Sequence, residues 1–159
     1  MNIHDNTVSP VDLGTRRAGA AIPVGPRPFN VVAVYVSNSG GSTVTPIDTA
    51  SNDTGPTLLV SGQAYGLGLS PDGRALWVSP STGDYVTPVD TVTGAPGKQI
   101  TVGRSAFDVG LDWDGGTAYV TTADGNGLVP VDTVSGTAGT PLTTGAYPLA
   151  VALTPVPVR

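Results

Sequence analysis

The 159-residue chain contains no cysteine, no glutamate, one lysine (Lys98), one histidine (His4) and one methionine. Without cysteine there is no disulfide and no thiolate chemistry, and the redox compartment cannot be inferred from thiols. With no Cys or Glu and a single His in an end expected to be disordered, a soft or mixed-ligand metal site is out of reach. A Ser-His-Asp arrangement would have to use His4, and no Gly-x-Ser-x-Gly elbow is present. Scarcity of Glu, Lys and Met removes the usual helix formers. Charged residues make up only 12% and the net charge is −5; nucleic acid and anionic membrane both need clustered Lys/Arg, so neither is expected as a partner. No apolar run approaches the about 18 residues of a membrane span. Residues 1–5 carry neither the basic n-region nor the apolar h-region of a secretory signal.

What the chain has is Gly (22), Pro (15) and a recurring phrase. Val8-Ser9-Pro10-Val11-Asp12 returns as Val44-Thr45-Pro46-Ile47-Asp48, Val86-Thr87-Pro88-Val89-Asp90 and Leu128-Val129-Pro130-Val131-Asp132, with the aspartates 36, 42 and 42 residues apart. A period near 42 built from short β-branched runs and Gly/Asp/Ser turns is the signature of propeller blades. Each repeat is a small sheet that must stack on its copies to bury its faces. The fold class expected is all-β: a β-propeller of four-stranded antiparallel blades, about 3.5–4 of them, as an open arc, a half-ring or a small closed ring. The whole chain reads as one domain, with repeats near residues 23–60, 61–102 and 103–144, and with 1–22 and 145–159 as parts of an incomplete blade.

The two central copies align without a gap at an offset of 42. A first strand (residues 65–70 or 107–112) carries Tyr65, Leu67 and Leu69 on one face and Gly66 and Gly68 on the other, where a backbone can come close. Asp-Gly turns at Asp72-Gly73 and Asp114-Gly115 lead to a second strand (75–79 or 117–121). The recurring phrase is the third strand, and residues 97–102 or 140–144 are the fourth. Two features resist the pattern. A proline, unable to donate to a ladder, sits inside every third strand; either its nitrogen falls at a bulge or the outermost strand pairs only beyond it. The first repeat lacks the counterparts of residues 69–74, which include the first hairpin turn. Residues 29–37 then read as one uninterrupted run, and the expectation is a single long strand or a badly distorted blade. At the ends, residues 1–5 align with the tail of a second strand and 147–154 with a first strand.

The tract Asp72-Gly73…Trp77-Val78-Ser79…Val86-Thr87-Pro88-Val89-Asp90-Thr91 resembles the YVTN-type β-propeller repeat, as does Tyr35-Val36-Ser37-Asn38 followed by Val44-Thr45-Pro46-Ile47-Asp48-Thr49. The resemblance covers nearly the whole chain. It implies a family that is bacterial and archaeal, often secreted or surface-associated, mostly without assigned chemistry, and usually of about seven blades, so the chain looks like roughly half of one.

Candidate chemistry is sparse. Asp124 and Asn126 could serve a calcium ion, but no further carboxylate is in register and a hairpin turn explains them. Asp108, Asp112 and Asp114 cluster, the last two flanking a turn. Asp12, Asp48, Asp90 and Asp132 suit Asx-type turns. Ligand-binding candidates are Arg27 and Arg104, which precede first strands where a propeller channel opens and could meet an anion, with Asp108 and the exposed Trp113. No metal and no cofactor is expected. The expected function is a non-catalytic binding or scaffold module. The alternatives are a half-propeller that works only after self-assembly and a lactonase-like hydrolase. Uncovered blade faces predict a homodimer.

Overall fold

The computed structural model describes residues 1–32 and 35–153. It is all-β, with no helix among these residues. Near the N-terminus β1 (Thr7–Val8) pairs with β4 (Ile22–Pro23) and β2 (Val11–Asp12) with β3 (Arg17–Ala18), forming the outer half of a blade. Three antiparallel blades follow. The first is β5 (Pro28–Val32), β6 (Tyr35–Asn38), β7 (Thr43–Pro46) and β8 (Leu58–Leu59); the second is β9 (Ala64–Leu69), β10 (Ala75–Pro80), β11 (Tyr85–Asp90) and β12 (Ile100–Thr101). The third is β13 (Ala106–Leu111), β14 (Thr117–Thr122) and β15 (Gly127–Asp132), with an outer strand in two pieces, β16 (Thr137–Ala138) and β17 (Leu142–Thr143). The sheets do not close on themselves, and the architecture is a partial propeller.

The core lies between blades, as the two-residue period of a strand dictates. Along β10, Leu76 and Val78 point toward the first blade and join Tyr35, Val44, Leu58 and Val60. Trp77 points the other way and joins Val109, Val120, Val129 and Val131 of the third blade. Ile22 packs with Val36 and Ile47, fixing the N-terminal strands to the first blade. Leu76, Val86, Val89 and Val120 are fully buried, each worth about 1.5–3 kcal/mol of transfer free energy if the side chain is a Val or Leu. Glycine sets the spacing on the inner edge. A Cβ on Gly66 would sit 2.3 Å from the Phe107 carbonyl oxygen, and one on Gly68 2.8 Å from that of Val109.

The first blade corrects the expectation of one long strand. Val32 pairs with Tyr35, Val31 with Val36 and Asn30 with Ser37, so β5 and β6 form a hairpin despite the missing turn sequence. Residues 33 and 34 lie outside the described residues. Both strands shorten together, which preserves their register, and burial of Tyr35, Val36 and Val44 between sheets outweighs the absent turn propensity.

The third-strand prolines have a specific place. Pro46, Pro88 and Pro130 pair with Tyr35, Trp77 and Tyr119 on the inner side. Their carbonyls accept N–H bonds from Gly55, Gly97 and Gly139 at 3.0, 2.7 and 2.7 Å on the outer side. A strand residue's N and C=O point the same way, so each proline nitrogen faces outward, where no ladder donor is required. The outer strand is interrupted there. It pairs on both sides of the proline, as β16 and β17 do around Pro130, rather than only beyond it.

A serine stitches the first blade to the second and the second to the third. The inner strands carry register shifts opposite Ser37 and Ser79, which free an inner-strand N–H. Ser37 Oγ accepts the Asn30 N–H at 2.9 Å and donates to the Tyr65 carbonyl at 2.7 Å. Ser79 Oγ accepts the Gly66 N–H at 3.2 Å and donates to the Phe107 carbonyl at 2.6 Å. Thr121 accepts the Asp108 N–H at 2.9 Å, and its hydroxyl turns back to the Asp108 carbonyl of its own blade at 3.5 Å. Residues 147–153, expected as a first strand, pair with no strand among the described residues; Thr154 lies outside them. The segment is held instead by the Tyr147 N–H donated to Asn126 Oδ1 at 2.9 Å and the Val151 N–H donated to Asp108 Oδ2 at 3.1 Å. The carboxylate of Asp108 supplies the tie to the next inner segment.

Candidate functional site on the propeller axis

The inner strands begin side by side, so residues at one repeat position converge. Phe29, Tyr65, Phe107 and Leu149 occupy equivalent positions, as do their successors Asn30, Gly66, Asp108 and Ala150. These eight residues, two from each of four successive inner segments, line one cavity of about 490 Å³ on the axis. Phe29 stacks on Tyr65 with ring centroids 3.5 Å apart and planes 24° apart, and Phe107 meets Tyr65 edge-on at 4.7 Å and 69°. The edge-to-face contact follows from the ring quadrupole. Most of the lining is aromatic or aliphatic; the polar side chains are Asn30 and Asp108.

Asp108 is half-buried beside these rings. Burial pushes its carboxyl above the usual carboxylate range, against the lowering effect of the Val151 and Val109 N–H groups. Burial likewise raises the Tyr65 phenol, opposed by the positive charge of Arg27. The charge of Arg27 therefore reaches Tyr65, although Arg27 does not line the cavity. Arg27 holds a left-handed backbone (φ 52°), with its N–H donated to Asn6 Oδ1 at 2.8 Å.

Of the residues singled out from sequence, Asp108 lines the cavity, and Arg27 acts on Tyr65 through its charge without lining it. Arg104 is exposed and Trp113, 63% exposed, sits at the hairpin tip at the far end of β13 from Phe107. Neither lines the cavity. Asp112 and Asp114 separate from Asp108, accepting the Thr117 and Gly116 N–H groups of that tip at 3.0 and 2.8 Å. Asp124 accepts from the Ser105 hydroxyl and Asn126 from the Tyr147 N–H, so both clamp the start of an inner segment. Among the described residues no three metal-ligating side chains of His, Cys, Asp or Glu gather. Asp12, Asp48, Asp90 and Asp132 each accept N–H bonds from residues two or three further on, and those bonds hold all four below the usual carboxylate range. Of the eight lining residues only Asp108 was among the sequence candidates; the other seven escaped the sequence reading. Their signal was the repeat itself, continued through positions 29, 65, 107 and 149.

An array of antiparallel blades with a ligand-sized cavity on its axis defines the propeller class. No protein-family profile and no curated protein sequence matches the chain. Solved structures do. A streptogramin B lyase is similar over 96% of this chain and 54% of its own, with a TM-score of 0.78 and 14% identity. The dihydro-heme d1 dehydrogenase NirN, in complex with DHE, is similar over 89% and 34%, with a TM-score of 0.72 and 16% identity. Hydrazine synthase of Kuenenia stuttgartiensis is similar over 71% and 33%, with a TM-score of 0.67 and 28% identity. The chain spans about a third to a half of the length of these proteins.

These likenesses establish the propeller-like repeat fold. They also correct the expectation of a non-catalytic scaffold module and the answer that the chain is not an enzyme. By their names the structural neighbours are a lyase, a dehydrogenase and a synthase. Repeat architecture and a poor inventory of His, Cys and Glu were no ground for excluding catalysis, because function resides in a site grafted on the fold.

Proposed function

We propose that the chain is a section of a propeller enzyme whose active centre is the axial cavity, binding a small, largely apolar molecule with Asp108 as the proton-transferring group. One observation carries this reading: four successive inner segments place three aromatic rings, Leu149 and one half-buried carboxyl around a single cavity. A volume of about 490 Å³ falls within the range of small-molecule sites, about 300–1,000 Å³. A carboxyl raised by its surroundings is better matched to general acid–base work near neutral pH than an ordinary one. The YVTN-type assignment of the repeats belongs to the same proposal, supported by Tyr35-Val36-Ser37-Asn38 standing as β6.

The test begins with binding. 2-Phenylethanol, followed by ligand-observed NMR, is expected to bind the wild type and to be excluded by Ala150→Phe, which fills the cavity from an exposed position. Chemistry is then tested on streptogramin B, the substrate in one neighbour's name, with mass spectrometry as readout. Turnover that persists in Asp108→Asn refutes the role given to Asp108, and binding indifferent to Ala150→Phe refutes the site.

A pairing of two copies is a second proposal, favoured by the segment 147–153. Tyr147, Leu149 and Leu153 are 56%, 45% and 37% exposed, and the segment is joined to no strand among the described residues. Light scattering that gives a stable monomer overturns it.

A further inference from the structure

Resting on the axial-cavity reading, we infer that the cavity selects an arylalkylammonium ligand, its ring against Phe29, Tyr65 and Phe107 and its ammonium at the Asp108 carboxylate. The cavity wall has three aromatic side chains and two aliphatic ones, Leu149 and Ala150. Its only ionisable carboxyl belongs to Asp108, and no Lys, Arg or His lines it among the described residues. A carboxylate offers about four acceptor sites; the Val151 N–H at 3.1 Å takes one of them and the Val109 N–H acts on another. Acceptor capacity therefore remains for a ligand donor.

Position sharpens the assignment. Asp108 lines the same cavity as the three rings, so a cation hydrogen-bonded to its carboxylate shares that cavity with aromatic side chains. An ammonium within about 6 Å of an aromatic centroid is attracted by the ring quadrupole. A neutral alcohol of the same shape gains neither that attraction nor a charge-assisted hydrogen bond. Arg27, whose charge reaches the Tyr65 hydroxyl, disfavours a cation on that side and directs it toward Asp108. The net charge of −5 adds long-range attraction for a cation.

The test compares three probes of one shape: 2-phenylethylammonium, 2-phenylethanol and 3-phenylpropionate, titrated by ligand-observed NMR near neutral pH and low salt. The ammonium is expected to bind at least about tenfold tighter than the alcohol, and the carboxylate weakest. Asp108→Asn should bring the ammonium to the alcohol's affinity and leave the alcohol unchanged. Ala150→Lys, which adds a cation from an exposed position, should reverse the preference toward the propionate. Wild-type affinities for ammonium and alcohol within about twofold of each other would overturn the charge selectivity while leaving the apolar cavity intact. So would a preference that survives in both variants. Failure of all three probes to bind would overturn the cavity reading together with this one.

Discussion

Replacing Ser79 with alanine removes one hydroxyl and strands two backbone groups. Ser79 is fully buried. Its oxygen takes the Gly66 N–H at 3.2 Å and its proton goes to the Phe107 carbonyl at 2.6 Å, one bond inside the second blade and one to the third. Gly66 N faces a register shift in the β9–β10 pairing, so no cross-strand carbonyl replaces the lost acceptor. A buried group left without a partner loses about 1–3 kcal/mol, against about 0.5–1.5 kcal/mol for an ordinary net hydrogen bond. Two such groups, partly relieved by water at the inner edge, give an expected loss of about 2–4 kcal/mol. Ser37→Ala, which breaks the same pair of bonds between the first and second blades, should fall in the same range. Thr121→Ala breaks one good bond and a marginal one at 3.5 Å and should lose about 1 kcal/mol. Ser79→Thr keeps the hydroxyl in the form the third blade already uses and should restore most of the stability. Urea unfolding reads these differences as shifts in midpoint at constant slope. Ser79→Ala within about 0.5 kcal/mol of wild type, the band of ordinary surface substitutions, would exclude a stitching role for Ser79, as would Thr121→Ala proving the most damaging of the three.

Other outcomes follow from the same structure. Gly66→Ala puts a methyl 2.3 Å from the Phe107 carbonyl oxygen, and its stability loss should reach or exceed the upper end of the about 1–3 kcal/mol of overpacking; unchanged thermal melting would contradict the inter-blade contact. Leu76→Ala, at a site with no exposure, should lose about 2–5 kcal/mol in denaturant titration. Acid acts with two signs. For Asp12, Asp48, Asp90 and Asp132, held below their ordinary 3.8 by N–H bonds, the stabilisation is present above 3.8 and lost as pH falls through the lower folded values. Asp90→Asn should therefore flatten the fall in melting temperature below about pH 4. Asp108 is raised by burial, so its contribution is present below the ordinary value and lost as pH rises through the folded one. NMR titration of its carboxyl should place its midpoint above those of Asp12, Asp48, Asp90 and Asp132.

Much of the fold was legible because the repeat writes it several times. The Asp-Gly turns, the alternation of β9 and the spacing of the third strands all follow from local chemistry that recurs at one interval. The first blade was misread because a turn sequence is sufficient for a hairpin without being necessary. Tyr35 and Val36 are buried from both sides by neighbours that no local window contains. The proline puzzle was legible in principle: Gly19, Gly55, Gly97 and Gly139 keep the same period as the prolines, and each faces one across the outer gap. The site was harder to read. Asp108 looked like part of a trio with Asp112 and Asp114, yet β13 carries it to the axis while the other two close a hairpin tip. Arg104 and Trp113 looked like contact residues because their types suit contacts, and only the convergence of four inner segments shows which residues meet.

The broken outermost strands carry a consequence for how the protein meets its surroundings. An intruding peptide laid along the rim would find one or two consecutive residues able to pair, then a detached stretch, then two more. That is too little for the continuous backbone zipper from which fibrils grow. The rim is thus closed to lateral templating even though the sheets themselves are open, and any growth of the array must proceed by stacking flat face on flat face.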